Sequence, residues 1–297
     1  MPRFDRIVIV DWSAAGRPTR GADSIRIGDD RGMLANPTTR MQAHHLLSDM
    51  AEPGTRLLIG ADFAFGHPSG LARQITGQGC ALALWDHLDA LHSDDDRNVS
   101  NYRDVAAGLN RALGGPVFWG DGRRVATPDL PRLKPPPHPD LAAHRVTETP
   151  VPGGPRPKSP FQLAGAGAVG AQSLTGIPWL NRLRRHAGTA VWPFQPWQDA
   201  GVILAEVYPS MLGRLEVTNW PCLDAAQVGL LARTFRALDD RDALVPMMTP
   251  DPCIADLAAE GQILGFGHDA ALRAAMRQGE DTGRLHVRAC RAGQVSL

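Results

Sequence analysis

Hydrophobic positions in this chain fall into short unbroken runs set between turn-rich stretches. Ile7 to Val10 is a continuous, largely β-branched run, which predicts a strand buried on both faces. Ser24 to Gly28 alternates apolar and polar residues and predicts a half-exposed antiparallel strand, with a short third strand around Gly32 to Ala35. Thr38 or Thr39 caps a helix running to about Ala51, with Met41, His45, Leu46 and Met50 on one face. Pro53-Gly54 ends it, and Arg56 to Phe63 is the next buried strand. Cys80 to His92 and Arg103 to Leu113 read as helices, and Thr189 to Phe194 and Gly201 to Tyr208 as strands. An amphipathic helix spans Asp224 to Leu238, with Asp224 placed to cap it, and Asp269 to Met276 forms another. The predicted fold class is α/β with a mixed sheet flanked by helices, and no internal repeat is apparent.

Two stretches break this pattern. From Pro128 to Pro160 there are 11 prolines in 33 residues. Proline lacks the N–H and fixes φ, so this segment predicts a long surface excursion, a flap over a site. Arg123, Arg124, Arg132, Lys134, Arg145, Arg156 and Lys158 flank or lie in it, and they serve either phosphate contacts or a solvated loop. The second stretch contains Gly165-x-Gly167-x-x-Gly170. A dinucleotide fingerprint needs a strand before it and an acid about 20 residues after it, and neither is present. Close helix packing is the better reading, with phosphate binding by backbone amides the alternative.

The chemistry gathers at strand ends. The Ile7 run closes on Asp11, Leu57 to Ala61 on Asp62, and Val202 to Ala205 on Glu206. One such acid can cap a helix, pair with an arginine or sit at a solvated end. Three arranged alike point to a metal site, because a carboxylate there must be paired or bind a cation to offset its desolvation. Asp239 and Asp242, three apart at the end of the Asp224 helix, are further candidates. His67, five residues beyond Asp62, is either a solvated loop histidine or a general base. Asp94-Asp95-Asp96, bordered by Ser, Arg and Asn, reads as a solvated loop.

Composition narrows the choice. A formal net charge of zero supplies no global basic field for nucleic acid, although a local groove stays open. The four cysteines are far apart and form neither a zinc ribbon nor a disulfide framework. No apolar run approaches the roughly 20 residues a membrane span needs, and no signal peptide is visible, so the expectation is a soluble, cytoplasmic protein without a membrane partner.

The segments VIVDWSAAG, LIGADFAFGHP, SPFQLAGAGAVGAQSLTGIP, ILAEVYPS, DDRDAL and EGQILG resemble a bacterial family, the domain of unknown function numbered 429. That family is predicted to comprise ribonuclease-H-like nucleases. The resemblance covers roughly residues 6 to 265. It implies a single ribonuclease-H-like domain over 1–297, with residues 64–160 as a helical and proline-rich insertion. It also implies a cluster of acids holding Mg²⁺ or Mn²⁺. Asp11 matches the first-strand Asp, Asp62 the acid after the fourth strand, and Glu206 the Glu of the Glu-Val-x-Pro motif. Asp242 matches the Asp before Ala on the last helix, with Asp239 a looser fit. The proline-rich region has no counterpart in the compact core, and Pro246 breaks the last helix early.

The expected activity is metal-dependent phosphodiester hydrolysis, in which two cations about 3.5–4 Å apart activate water and stabilise the leaving oxygen. Asp11 would bridge the ions, Asp62 and Glu206 would complete one side, and Asp242 the other. Ser13, His67, Arg123, Arg124 and Lys134 are the candidate phosphate contacts. Nucleic acid is the first partner considered. The alternatives are a small phosphorylated substrate, a non-catalytic binding module, and an actin-like ATPase or sugar kinase, for which the chain is short. The sequence does not indicate an oligomeric state.

Overall fold

The computed structural model describes residues 2–123, 127–149, 157–165, 167–213, 215, 217–281 and 288–289. Strands β1 (Arg6–Asp11), β2 (Arg26–Asp29) and β3 (Met33–Ala35) form an antiparallel meander, followed by helix α1 (Arg40–Met50) and strand β4 (Leu57–Ala61). Helices α2 (Leu71–Thr76), α3 (Ala81–Leu91), α4 (Tyr102–Ala112) and α5 (Gly170–Arg184) come next. Then follow β5 (Thr189–Val191), β6 (Val202–Glu206), α6 (Leu223–Asp239), α7 (Leu257–Glu260) and α8 (Asp269–Asp281). The sheet order is β5-β6-β4-β1-β2-β3, with Arg288–Ala289 paired alongside β3. β1, β4, β6 and β5 are mutually parallel, so the structure is α/β with a mixed sheet.

The two sheet faces bury different helices. Val8, Val10, Ile59 and Leu204 pack with residues of α1, α3, α4 and α5, and Ile7, Ile9, Leu58, Ile203 and Ala205 pack beneath α6 and α8. Such burial on both faces explains why β1, β4 and β6 are continuous apolar runs rather than alternating ones. Thr39 caps α1 by accepting from the Gln42 amide, as its position before the apolar periodicity predicts. Segment 64–160 is integral to the larger core, which includes Leu71, Leu84, Trp85 and Leu109. The glycine-rich run serves close packing. A Cβ at Gly170 would lie 2.6 Å from the Pro160 carbonyl oxygen, and one at Gly176 would overlap the Phe63 ring. Among the described residues no helix is long and apolar enough to cross a membrane.

Two expectations about charge are corrected here. Asp94 is not solvated. Its carboxylate is fully buried against Arg40, with N–O distances of 2.5 and 2.8 Å, and also accepts from the Trp179 indole at 2.9 Å. The partner is the cause, since an arginine buried at the start of α1 requires a carboxylate. Among its described residues the proline-rich excursion is irregular, as expected, apart from a 3₁₀ turn at Val146–Glu148. It is not confined to the surface, because it delivers Arg145, 1% exposed, into the core.

Candidate functional site

β1, β4 and β6 run parallel and end level, so their terminal acids reach one end of the sheet. Val10 pairs with Ala61, and Ala61 with Glu206. Asp11 and Asp62 follow those pairs, and their carboxyl groups lie within hydrogen-bonding reach of each other. The backbone amide of Trp12 donates to Asp62 Oδ1 at 2.8 Å and fixes that acceptor. Gln172 on α5 donates to the Trp12 carbonyl at 2.5 Å and ties the turn to the helix.

Electrostatics at this pair are unusual. The Asp11 carboxyl is held far above the ordinary range, first by desolvation, then by the charge of Asp62 and the hydrogen bond to it. Asp224, in the first turn of α6, raises it further, and Arg26, directly across the β1–β2 ladder, opposes the rise. Asp62 is also raised by desolvation and by Asp224, while the Trp12 amide and the bond from Asp11 hold it lower than its partner. Like charges this close cannot both ionise cheaply, so the pair keeps one proton. Asp11, Ser13, Ser24, Tyr102, Gln172 and Asp224 line a polar cleft of about 340 Å³ above it.

Glu206 reaches the same end of the sheet but faces the other way. Side chains alternate along a strand, and Glu206 continues the face of Val202 and Leu204, toward α5, whereas Asp11 continues the face of Ile7 and Ile9, toward α6. Its carboxylate accepts from Arg145 Nη2 at 2.5 Å, Arg145 Nη1 at 2.7 Å and the Phe65 amide at 2.8 Å. Arg145 also bonds Glu148 Oε1 through Nε at 3.0 Å and Nη2 at 2.8 Å, and the Glu260 carbonyl at 2.9 Å. Burial acting alone would lower the Arg145 pKa, but Glu148 and Glu206 together raise it. Burial raises that of Glu148 despite the guanidinium beside it. The Glu260 carboxylate accepts from the Ser69 and Val146 amides and joins the turn after β4 to the excursion.

The remaining candidates disperse. Asp239 accepts from the amides of Arg3 and Phe4 at 2.9 and 3.0 Å, beside the start of β1 rather than its end. α6 runs antiparallel to β1, so Leu223 begins it beside the acid pair and Asp239 closes it a helix length away. Seventeen residues at about 1.5 Å each make that roughly 25 Å. Asp242, three residues past Asp239, belongs to the same distant end. The structure therefore places Asp239 and Asp242 away from Asp11 and Asp62, while Glu206 borders a cavity with Asp62 but is turned away from Asp11 into its pair with Arg145. The acid it brings close instead is Asp224, read from sequence only as a helix cap.

Ser13 lines the cleft with its hydroxyl committed, donating to the Asp23 carbonyl and accepting from the Ala15 amide. His67 is 2% exposed between Phe118 and Phe161, and neither ring nitrogen has a partner. Burial and the Arg145 charge push its pKa down to about 3, so it is neither solvated nor among the acids. Arg123 is paired with Asp121 and Asp104. Lys134 lies on a separate cavity with Pro135 and Phe161, and Arg124 lies outside the described residues.

Carboxylate oxygens suit hard divalent cations. Among the described residues no three His, Cys, Asp or Glu side chains stand close enough to enclose an ion unaided. Mg²⁺ commonly takes only one or two carboxylates and keeps waters or substrate oxygens, so the Asp11–Asp62 pair with Asp224 nearby fits such an ion. Comparison of the chain with protein-family models, curated proteins and solved structures finds no match.

Proposed function

We propose that this protein is a divalent-metal-dependent phosphoester hydrolase in which Asp11 and Asp62 hold the cation and Asp224 adds the third negative charge. The observation that carries the reading is the pair of adjacent, desolvated carboxyls of Asp11 and Asp62 at the end of two parallel strands, with Asp11 and Asp224 lining a polar cleft. A cation there would relieve the repulsion between them. The strand order also supports a ribonuclease-H-like arrangement, with an antiparallel β3-β2-β1 meander leading into parallel β4 and β6. The segments resembling the family numbered 429 include the turns that carry Asp11 and Asp62.

A bound Mg²⁺ or Mn²⁺ supplies an activated water and stabilises charge on the phosphoryl oxygens. The protein's own groups do the rest. Trp12 and Gln172 fix the orientation of Asp62, Ser13 shapes the loop after Asp11, and Asp11 and Asp62 would hold the cation through their carboxylate oxygens. In this reading Glu206 is a positioning residue, which through Arg145 fastens the excursion to the sheet.

The test is hydrolysis of phosphoesters with Mn²⁺ and with chelator. Activity is expected with Mn²⁺ only, falling roughly 100-fold or more in Asp11→Asn and Asp62→Asn, because each removes a charge contact worth several kcal/mol. Hydrolysis that persists in chelator and in Asp11→Asn would contradict the proposal.

A further inference from the structure

The start of α5 borders the same polar cleft as Asp11 and Asp224, since Ala168, Ala171 and Gln172 all line it. This helix is 15 residues long, its N-cap Val169 brings no side-chain acceptor, and its first turn holds no acid. The Gly170 amide is taken by the Gln162 carbonyl, and the Ser173 amide by the Val169 carbonyl. The amides of Ala171 and Gln172 have no acceptor among the described residues. Two free N–H groups and the positive end of a helix dipole therefore stand at a cleft that is otherwise acidic.

Tyr102 supplies an independent sign of a ligand. It lines the same cleft from the first residue of α4 and is 6% exposed, with the Arg103 guanidinium 4.5 Å from its ring centroid. Its amide donates to the Ser100 hydroxyl, but its own hydroxyl has no hydrogen-bond partner among the described residues. The serine hydroxyls on the cleft are committed, Ser13 to the Asp23 carbonyl and Ser24 to the Gly21 carbonyl. A nearly enclosed hydroxyl left unpaired costs free energy, and an acceptor entering the cleft recovers it.

We propose that the first turn of α5 and Tyr102 form a phosphoryl-binding subsite, in which the Ala171 and Gln172 amides and the Tyr102 hydroxyl donate to the non-bridging oxygens of a substrate phosphate. The choice of a phosphoryl group over another oxyanion rests on the hydrolase reading above. Asp11, Asp23 and Asp224 line the cleft and repel a free anion, so phosphate binds tightly only once a cation offsets them. The helix end then serves the substrate while the acids serve the cation, and one cleft of about 340 Å³ holds both. This gives the glycine-rich run before α5 a second role beside close packing.

Calorimetric titration of inorganic phosphate, with Mg²⁺ and with chelator, tests this in wild type, Tyr102→Phe and Ala168→Asp, each first shown to be folded by circular dichroism. Mg²⁺ alone is titrated in parallel. Wild type is expected to bind phosphate more tightly with Mg²⁺ than with chelator. Tyr102→Phe keeps the ring and should weaken phosphate binding about tenfold, the value of one charge-assisted hydrogen bond, while leaving the affinity for Mg²⁺ alone unchanged. Ala168→Asp sets a fixed carboxylate beside the free amides and should abolish phosphate binding. No phosphate binding under either condition, or binding unchanged in either variant, overturns the inference, and Mg²⁺ binding seen alongside leaves the hydrolase reading intact. Phosphate binding that depends on Tyr102 in a protein that binds no Mg²⁺ leaves the subsite standing and removes the hydrolase reading.

Discussion

Replacing Arg145 with methionine removes the cation that two buried glutamates share. Glu206 and Glu148 are each 3% exposed, and five hydrogen bonds from the guanidinium end on them or on the Glu260 carbonyl. Met keeps most of the volume, so the loss is chiefly electrostatic. Breaking a buried pair by removing one partner costs about 3–5 kcal/mol, a large share of the roughly 5–15 kcal/mol that stabilises a domain. Urea unfolding at pH 8 should show that loss. The deficit should shrink as pH falls, because orphaned carboxyls in the variant have folded pKa values above their unfolded ones. Such a group favours the folded state most at low pH and loses that contribution as pH rises. A double-mutant cycle with Glu206→Gln should give a coupling of roughly 1–3 kcal/mol. Additive effects, or a loss at pH 8 below about 1 kcal/mol, would refute the claim that Arg145 fastens the excursion to β6.

Three further outcomes follow from the same geometry. In metal-free protein Asp11→Asn should be more stable than wild type at pH 8. The raised Asp11 pKa means that wild type loses stability as pH climbs above the unfolded carboxyl value of about 4, and thermal melts with chelator across pH 5–9 check this. His67 has the opposite sign. Its folded pKa of about 3 lies below the unfolded value, so stability falls as pH drops through about 6.5, and His67→Phe should flatten that acid limb in pH-dependent melts. Gly176→Ala forces a methyl into the Phe63 ring and should cost about 1–3 kcal/mol in denaturant unfolding, with an unchanged midpoint refuting the close packing.

The sheet end was legible because β1, β4 and β6 are runs buried on both faces, and each closes on an acid. Parallel strands that end together bring Asp11 and Asp62 side by side. The direction of Glu206 was not legible for the same reason. With both faces apolar, no alternation tells which way the last side chain points. Its partner, Arg145, lies 61 residues earlier in a proline-rich stretch that carries no periodicity. Asp224 left a usable signal. A helix that follows a strand of a parallel sheet starts at the strands' carboxyl ends, so the acid in its first turn, not those in its last, comes near Asp11. The solvated reading of Asp94 failed because nothing in a run of three acids shows that Arg40 is buried beside one of them.

The central claim is that Asp11 and Asp62, with Asp224, hold a divalent cation, while Glu206 belongs to a structural ion pair. Calorimetric titration of Mn²⁺ into wild type and single variants, each first shown to be folded, tests it directly. The account predicts binding in wild type that is lost in Asp11→Asn and Asp62→Asn, weakened in Asp224→Asn, and retained in Glu206→Gln and Asp239→Asn. No binding at millimolar Mn²⁺, or binding lost in Glu206→Gln yet kept in Asp11→Asn, would contradict it.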